Sequence, residues 1–132
     1  KRKDFFVLSG GNYYTKKHLD RFGDVPVVRL SEMYLTRAEA NVRSNTSVGA
    51  TPLADVNAIR TRAGLPALTS ITLAAVLKER KVELAFEGQG LPDAKRLQNN
   101  VGLLAWNAPN LIMPIPQREM DVNKKLVQNE GY

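Results

Sequence analysis

The chain has 132 residues, of which 43% are hydrophobic and 24% charged, an ordinary composition for one globular domain. The absence of cysteine excludes disulfides and thiolate metal sites, and the single histidine, His18, excludes a multi-histidine zinc site. The net charge is +6, but most arginines alternate with carboxylates and no dense basic stripe contains aromatic residues. We therefore expect neither a metal or cofactor site nor a nucleic-acid partner.

The first 25 residues predict an extended or irregular lead-in to the fold. The basic start is followed by only four apolar residues at 5–8 before a Gly-rich stretch, so the apolar region of a signal peptide is missing. Two short aromatic segments flank Ser9-Gly10-Gly11-Asn12, which indicates a loose hairpin or two extended segments. We expect either a cytosolic protein or a piece of a longer one.

The first helix is predicted over residues 26–45, because Pro26 is favoured in a first helical turn. Its predicted apolar face contains Val27, Leu30, Tyr34, Ala38 and Val42. On this helix Glu39 and Arg43 have the i,i+4 spacing of a stabilising ion pair.

Two further helices have clear local start and stop signals. The second is predicted over 52–63, with Thr51 as the N-cap and Gly64 just after its end. The third is predicted over 73–87, capped by Thr72 and closed by Gly88. Apolar residues on two sides of this third helix indicate packing on both sides.

The C-terminal part is predicted to be mostly irregular. A short fourth helix is expected over 92–99, an extended segment over 111–116 because prolines restrict their predecessors, and a helical turn over 117–122. The predicted fold is mostly α, with tetratricopeptide-like antiparallel helix pairs and an irregular, loop-rich C-terminal part. We expect one domain over 1–132, with a lead-in (1–25), a helical core (26–99) and an extended tail packing on the helices (100–132).

Seven phrases occur in a characteristic order along the chain. They are VRLSEMYL (28–35), RAEA (37–40), NAIRTRAGL (57–65), ERKVELAFEG (79–88), DAKR (93–96), PIP (114–116) followed by Glu119, and QNEGY (128–132). In this order the phrases closely resemble the C-terminal region of the SusD/RagB family. The stretch Gln89-Gly90-Leu91-Pro92 departs from the family pattern, which usually has Arg and bulky aromatic residues there.

The resemblance implies a C-terminal fragment of a non-catalytic lipoprotein on the cell surface, in the outer membrane of Bacteroidetes. Such proteins bind oligosaccharides or other nutrients and cooperate with a SusC-like TonB-dependent transporter. Membrane attachment would be only through a lipid anchor upstream of these residues. The alternative interpretation is a stand-alone tetratricopeptide-like module that binds a protein partner in the cytoplasm.

Two sets of candidate site residues follow. Glu79, Glu83 and Glu87 form a carboxylate stripe on the third helix, but glycosidase carboxylates normally face each other across a cleft. We expect this stripe to form ion pairs with Arg60, Arg62 or Arg80, and we expect Arg80 to be buried and paired, since it lies on the main apolar face. For a carbohydrate ligand, the candidate residues are the aromatic rings of Trp106, Tyr13 and Tyr14 and the amide of Asn107.

Overall fold

The computed structural model describes residues 2–132, with side chains described from Asp4 onward. Within this part the fold is mostly helical, as predicted, and the chain divides into two compact units, one ending at Glu87 and the other formed by Gly88–Tyr132. The helices are α1 (Leu30–Ser44), α2 (Pro52–Arg62), α3 (Leu73–Glu83), α4 (Gly90–Arg96) and α5 (Gln117–Val122). No helix in the described residues is long and apolar enough to cross a membrane.

The first unit begins with a 3₁₀ turn (Arg2–Phe5) and a β-hairpin. Strands β1 (Phe6–Ser9) and β2 (Asn12–Thr15) pair antiparallel, with Ser9 opposite Asn12. Gly10 and Gly11 form the turn with φ of +55° and +80°, the backbone that a two-residue hairpin turn needs at both positions. The predicted hairpin is therefore observed.

Helix α1 begins at Leu30, four residues later than predicted. Arg29 has an extended backbone (φ −137°, ψ 153°), and its side chain bonds to α3 and the turn after it. The first two residues of the predicted apolar face of this helix are not buried, because Val27 and Leu30 are 89% and 64% exposed. The prediction is wrong for these two residues. The buried side is centred on Leu35, since α1 packs against both α2 and α3.

Helices α2 and α3 begin at their predicted caps. The hydroxyl of Thr51 accepts a hydrogen bond from the Ala54 amide, and that of Thr72 accepts one from the Ala75 amide, both at 3.2 Å. These bonds satisfy backbone donors that every helix N-terminus leaves unpaired. Gly64 follows α2 with φ +74°, the left-handed conformation expected after a helix end.

Helix α3 ends at Glu83 rather than at Glu87. Phe86 has φ +65°, which stops the right-handed helix before Gly88 is reached. The ring of Phe86 makes an edge contact with Phe6 of the hairpin, at 5.8 Å between centroids. The predicted second apolar face of α3 is not buried, because Val82 and Phe86 are 47% and 56% exposed.

The core of the first unit lies where α1 meets α2 and α3. Its fully buried members are Leu35 and Ala38 of α1, Val56 and Ile59 of α2, and Val76 of α3. Arg29 before α1 and Arg62 at the end of α2 both donate to Glu83 at the end of α3. The start of α1 therefore lies beside the ends of α2 and α3, so α1 is antiparallel to both.

The loop between α2 and α3 runs back along α2. The side chain of Asn57 bonds both backbone groups of Leu68, donating to its carbonyl at 3.0 Å and accepting from its amide at 2.7 Å. Arg60 donates to the carbonyl of Pro66 at 3.0 Å. Because the loop returns along α2 in this way, α3 can run in the same direction as α2.

The second unit is short and loop-rich, as predicted. Between α4 and α5 lie an isolated bridge from Val101 to Leu104, a 3₁₀ turn (Pro109–Leu111) and the extended proline segment. The Gln128 side chain fastens this segment to the C-terminal residues, accepting from the Ile115 amide at 2.8 Å and donating to its carbonyl at 2.9 Å. The packing of residues 100–132 on the helices stays a prediction.

Candidate functional site

The end of α3 carries a group of charged side chains from four separate segments, which we call the charge cluster. It consists of Glu83 and Glu87 with Lys17, Arg29 and Arg62. The two carboxylates come from α3 and the turn after it. The cations come from the segment after the hairpin, from the residue before α1, and from the last turn of α2.

Arg29 is the central donor of the charge cluster. Its Nη1 donates to Glu83 Oε1 at 2.6 Å, and its Nε and Nη2 donate to the two carboxylate oxygens of Glu87 at 2.6 and 2.9 Å. Nη2 also reaches the main-chain carbonyl of Glu83 at 2.6 Å, and Nη1 contacts Ser31. One guanidinium thus joins the start of α1 to the end of α3.

Lys17 holds the turn that follows α3. Its Nζ donates to Glu87 Oε1 at 2.7 Å and to the carbonyls of Ala85 and Glu83 at 2.8 and 3.2 Å. A cation at a helix C-terminus is favourable, because the last carbonyls have no partner within the helix. Lys17 and Arg29 together stabilise the early end of α3.

The charge cluster is partly shielded from water. The side chain of Glu83 is 5% exposed and that of Glu87 is 19% exposed. Burial favours a neutral Glu87, but hydrogen bonds and charge from Arg29 and Lys17 outweigh it and lower the pKa of this carboxyl. Burial similarly opposes charge on Arg29, and the bonds to Glu87 and Glu83 raise its pKa instead.

The other carboxylates of interest also lie beside arginines. Glu79 of the predicted stripe accepts from Arg60 at 3.1 Å, while Glu39 and Arg43 lie 2.8 Å apart on α1. Arg80 is buried, with its guanidinium 3.4 Å from Glu32 of α1 and 3.3 Å from the Thr36 hydroxyl. All of these contacts join or brace helices.

Sequence reasoning missed Lys17 and Arg29 as members of the charge cluster. The predicted first helix included Arg29 on its polar side, but the observed α1 begins only after this residue. Lys17 lay in the predicted irregular lead-in. Neither carried a local signal, because their partners are 58 and 70 residues away in the sequence. Arg62 was among the candidates, and it donates to Glu83.

A cleft of about 770 Å³ lies beside the charge cluster, within the first unit. Phe5 and Phe6 contribute apolar surface to its wall, and Lys16 and Arg62 contribute cations. His18 is exposed and also lines this cleft. A volume of this size is typical of small-molecule sites.

The residues predicted to contact carbohydrate lie in both units. Trp106 is half-buried and Asn107 is exposed, and both follow the Val101–Leu104 bridge in the second unit. Tyr13 and Tyr14 are adjacent residues of β2, 74% and 52% exposed, and their rings point to opposite faces of the hairpin. The two tyrosines therefore cannot form one stacking surface.

The chain is similar to several known proteins. A family model described as the SusD family matches residues 6–110. The starch-binding protein SusD of Bacteroides thetaiotaomicron is 32% identical over 123 residues, covering 83% of this chain and 22% of that protein. The chain thus spans about a fifth of the length of this curated relative.

Two solved structures are also similar. A surface glycan-binding protein A from Bacteroides uniformis is 30% identical with a TM-score of 0.62, covering 78% of this chain and 27% of that one. A SusD-like protein from Bacteroides fragilis is 29% identical with a TM-score of 0.55, covering 80% and 25%. With the family match over residues 6–110 and these relatives, the chain belongs to the SusD family.

Proposed function

We propose that these residues are the C-terminal region of a longer glycan-binding protein of the SusD family. The observation that carries this proposal is the family match over residues 6–110, together with relatives named as starch-binding and glycan-binding proteins. The chain covers only 22–27% of those two relatives. In this proposal its helices serve mainly as a scaffold, and ligand contacts are shared with the rest of the protein.

The protein acts by binding rather than by catalysis. A glycosidase needs a carboxylic acid that stays protonated near neutral pH and a second carboxylate across the scissile bond. The pKa of Glu87 is lowered, the opposite of what a general acid requires, and Glu83 is bonded to two arginines. The carboxylate stripe therefore supports a structural role.

Localisation and partners follow from family membership as further parts of the proposal. The protein would lie on the outer surface of the outer membrane, held by a lipid anchor upstream of these residues. It would pass an oligosaccharide or other nutrient to a SusC-like TonB-dependent transporter. Co-purification of the tagged full-length protein with such a transporter from detergent-solubilised membranes tests this part.

Trp106 is the residue that we expect to contribute most to glycan contact within this chain, with Asn107 beside it as a hydrogen-bonding group. An indole ring offers a broad apolar face to the C–H groups of a sugar ring, and the exposed rings of Tyr13 and Tyr14 offer smaller ones. Since Trp106 and Asn107 alone form an incomplete platform, we expect the isolated chain to bind neutral oligosaccharides more weakly than about 10 μM.

Calorimetry of the full-length protein against a panel of starch-derived and other oligosaccharides tests the proposed function. We expect binding without release of new reducing ends, and an affinity about ten-fold lower in Trp106→Ala. The matched control is Phe22→Ala, which removes a ring that is 91% exposed and is not among the proposed contacts. Failure of the full-length protein to bind any glycan, or steady hydrolysis of one, would contradict the proposal.

A further inference from the structure

The cleft beside the charge cluster has an apolar wall and a cationic rim. Phe5 and Phe6 both line the cleft and are 47% and 37% exposed, so they offer apolar surface to a ligand. Lys16 and Arg62 line the same cleft, and both side chains are exposed. This combination suits a ligand with one apolar face and one negative charge.

Within the charge cluster, cations outnumber carboxylates. Glu83 accepts from both Arg29 and Arg62, while Glu87 accepts from both Arg29 and Lys17. Three cationic side chains therefore share two carboxylates. Asp4 adds a third carboxylate to the cleft lining and Lys16 adds a fourth cation, so the described lining carries an excess of one positive charge.

Arg62 has the most capacity for another partner. Its side chain is 63% exposed, and in the described part of the chain only its Nη2 donates, to Glu83. Its Nε and Nη1 groups donate no hydrogen bond to the described residues. Lys16 likewise forms no ion pair with the described residues.

We propose that this cleft binds an acidic saccharide, with a uronate carboxylate held by Arg62 and Lys16 and the sugar ring against Phe5 and Phe6. This inference rests on the proposed glycan-binding function and specifies the ligand class of one site. A guanidinium fork matches a carboxylate in a bidentate geometry, and such charge-assisted bonds are stronger than neutral ones. A neutral sugar can contact Phe5 and Phe6 but has no carboxylate to bind Arg62 and Lys16.

The test is calorimetric titration of the 132-residue chain with trigalacturonate, with neutral galactotriose and with a triglutamate peptide. We expect trigalacturonate to bind with a dissociation constant of about 1 mM or tighter. We expect the other two to bind at least about ten-fold more weakly, since each lacks either the charge or the sugar ring. Raising the salt concentration weakens trigalacturonate binding, because the rim charges are solvent-exposed.

Variants locate the site. Arg62→Gln lowers trigalacturonate affinity about ten-fold, and Arg62→Lys gives an intermediate loss because it keeps the charge but not the fork. Lys78→Gln, at an exposed lysine on α3 outside the cleft lining, is the matched control and leaves the affinity unchanged. Circular dichroism verifies that each variant is folded.

Three outcomes overturn the inference: no trigalacturonate binding, equal binding of galactotriose or triglutamate, or unchanged affinity in Arg62→Gln. Each leaves the proposed function standing if the full-length protein binds a glycan. If the 132-residue chain binds trigalacturonate but the full-length protein binds no glycan, the proposed function alone is overturned.

Discussion

Replacing Glu87 with Gln tests whether the charge cluster stabilises the first unit. The substitution keeps the size of the side chain and removes the charge that Arg29 and Lys17 both contact, at 2.6–2.9 Å. Arg29 then keeps the carboxylate and the main-chain carbonyl of Glu83, and Lys17 keeps the main-chain carbonyls of Glu83 and Ala85. The turn after α3 loses the carboxylate that links it to both the segment after the hairpin and the start of α1.

The expected cost follows from the number and exposure of these bonds. One hydrogen bond to a charged group contributes about 1.5–3 kcal/mol to stability. Glu87 accepts three such bonds, but it is 19% exposed, and glutamine keeps one acceptor oxygen. We therefore expect the free energy of unfolding at pH 7 to fall by about 2 kcal/mol.

The cost should depend on pH in a defined direction. The pKa of Glu87 is lowered below its ordinary value of 4.5 in the folded state, so the unfolded chain binds the proton more readily. Its contribution to stability is therefore complete above that ordinary value and is lost as pH falls through the folded pKa. The difference between wild type and Glu87→Gln should shrink as the solution is acidified.

Urea denaturation followed by circular dichroism, in steps from about pH 7 to pH 3, measures this difference. Asp24→Asn is the matched control, because it makes the same carboxyl-to-amide change at an exposed position and should alter stability by less than about 0.5 kcal/mol. A stability loss that is equal at both ends of the pH range would refute the reasoning, as would no loss at pH 7.

Two further predictions concern contacts between segments of the first unit. Arg37 holds the carboxylate of Asp55 through two bonds of 2.9 and 2.6 Å, and that carboxylate is 4% exposed, so Arg37→Met should lower the free energy of unfolding by leaving a buried charge without its partner. In a double-mutant cycle Asp55→Ala should cancel much of this cost, and strictly additive effects in urea melts would contradict the pairing. Asn57→Ala should cost about 2 kcal/mol, because it leaves both backbone groups of Leu68 without a partner, and should speed amide exchange in the loop after α2. Unchanged exchange at Leu68 would show that Asn57 does not anchor this loop.

Local chemistry made the starts of α2 and α3 predictable from sequence. Thr51 and Thr72 each cap a helix through an atom three residues away, so no distant partner is needed. The Gly10-Gly11 turn is similarly local, because only glycine readily adopts positive φ at two successive positions. The family resemblance, carried by ordered phrases along the chain, was confirmed by the family match over residues 6–110.

The candidate site could be predicted only in part. The sequence placed three glutamates on one side of the predicted third helix, of which Glu87 lies beyond the observed α3. It also indicated arginine partners for them, and Arg60 and Arg62 do pair with Glu79 and Glu83. Whether Trp106, Asn107, Tyr13 and Tyr14 touch a glycan stays a prediction. Their placement in two separate units could not be foreseen from spacing alone.

Tertiary contacts decided where α1 begins and where α3 ends. Arg29 interacts with Glu83 and Glu87, more than 50 residues away, and its extended backbone delays α1 to Leu30. Lys17 and Arg29 bond the carbonyls at the end of α3, and Phe86 adopts positive φ against the hairpin, so the later stop signal at Gly88 is not used. A sequence pattern can reveal a capping side chain, because its partner lies within one helical turn. The start of α1 and the end of α3 instead depend on charged groups that come together only after the chain has folded.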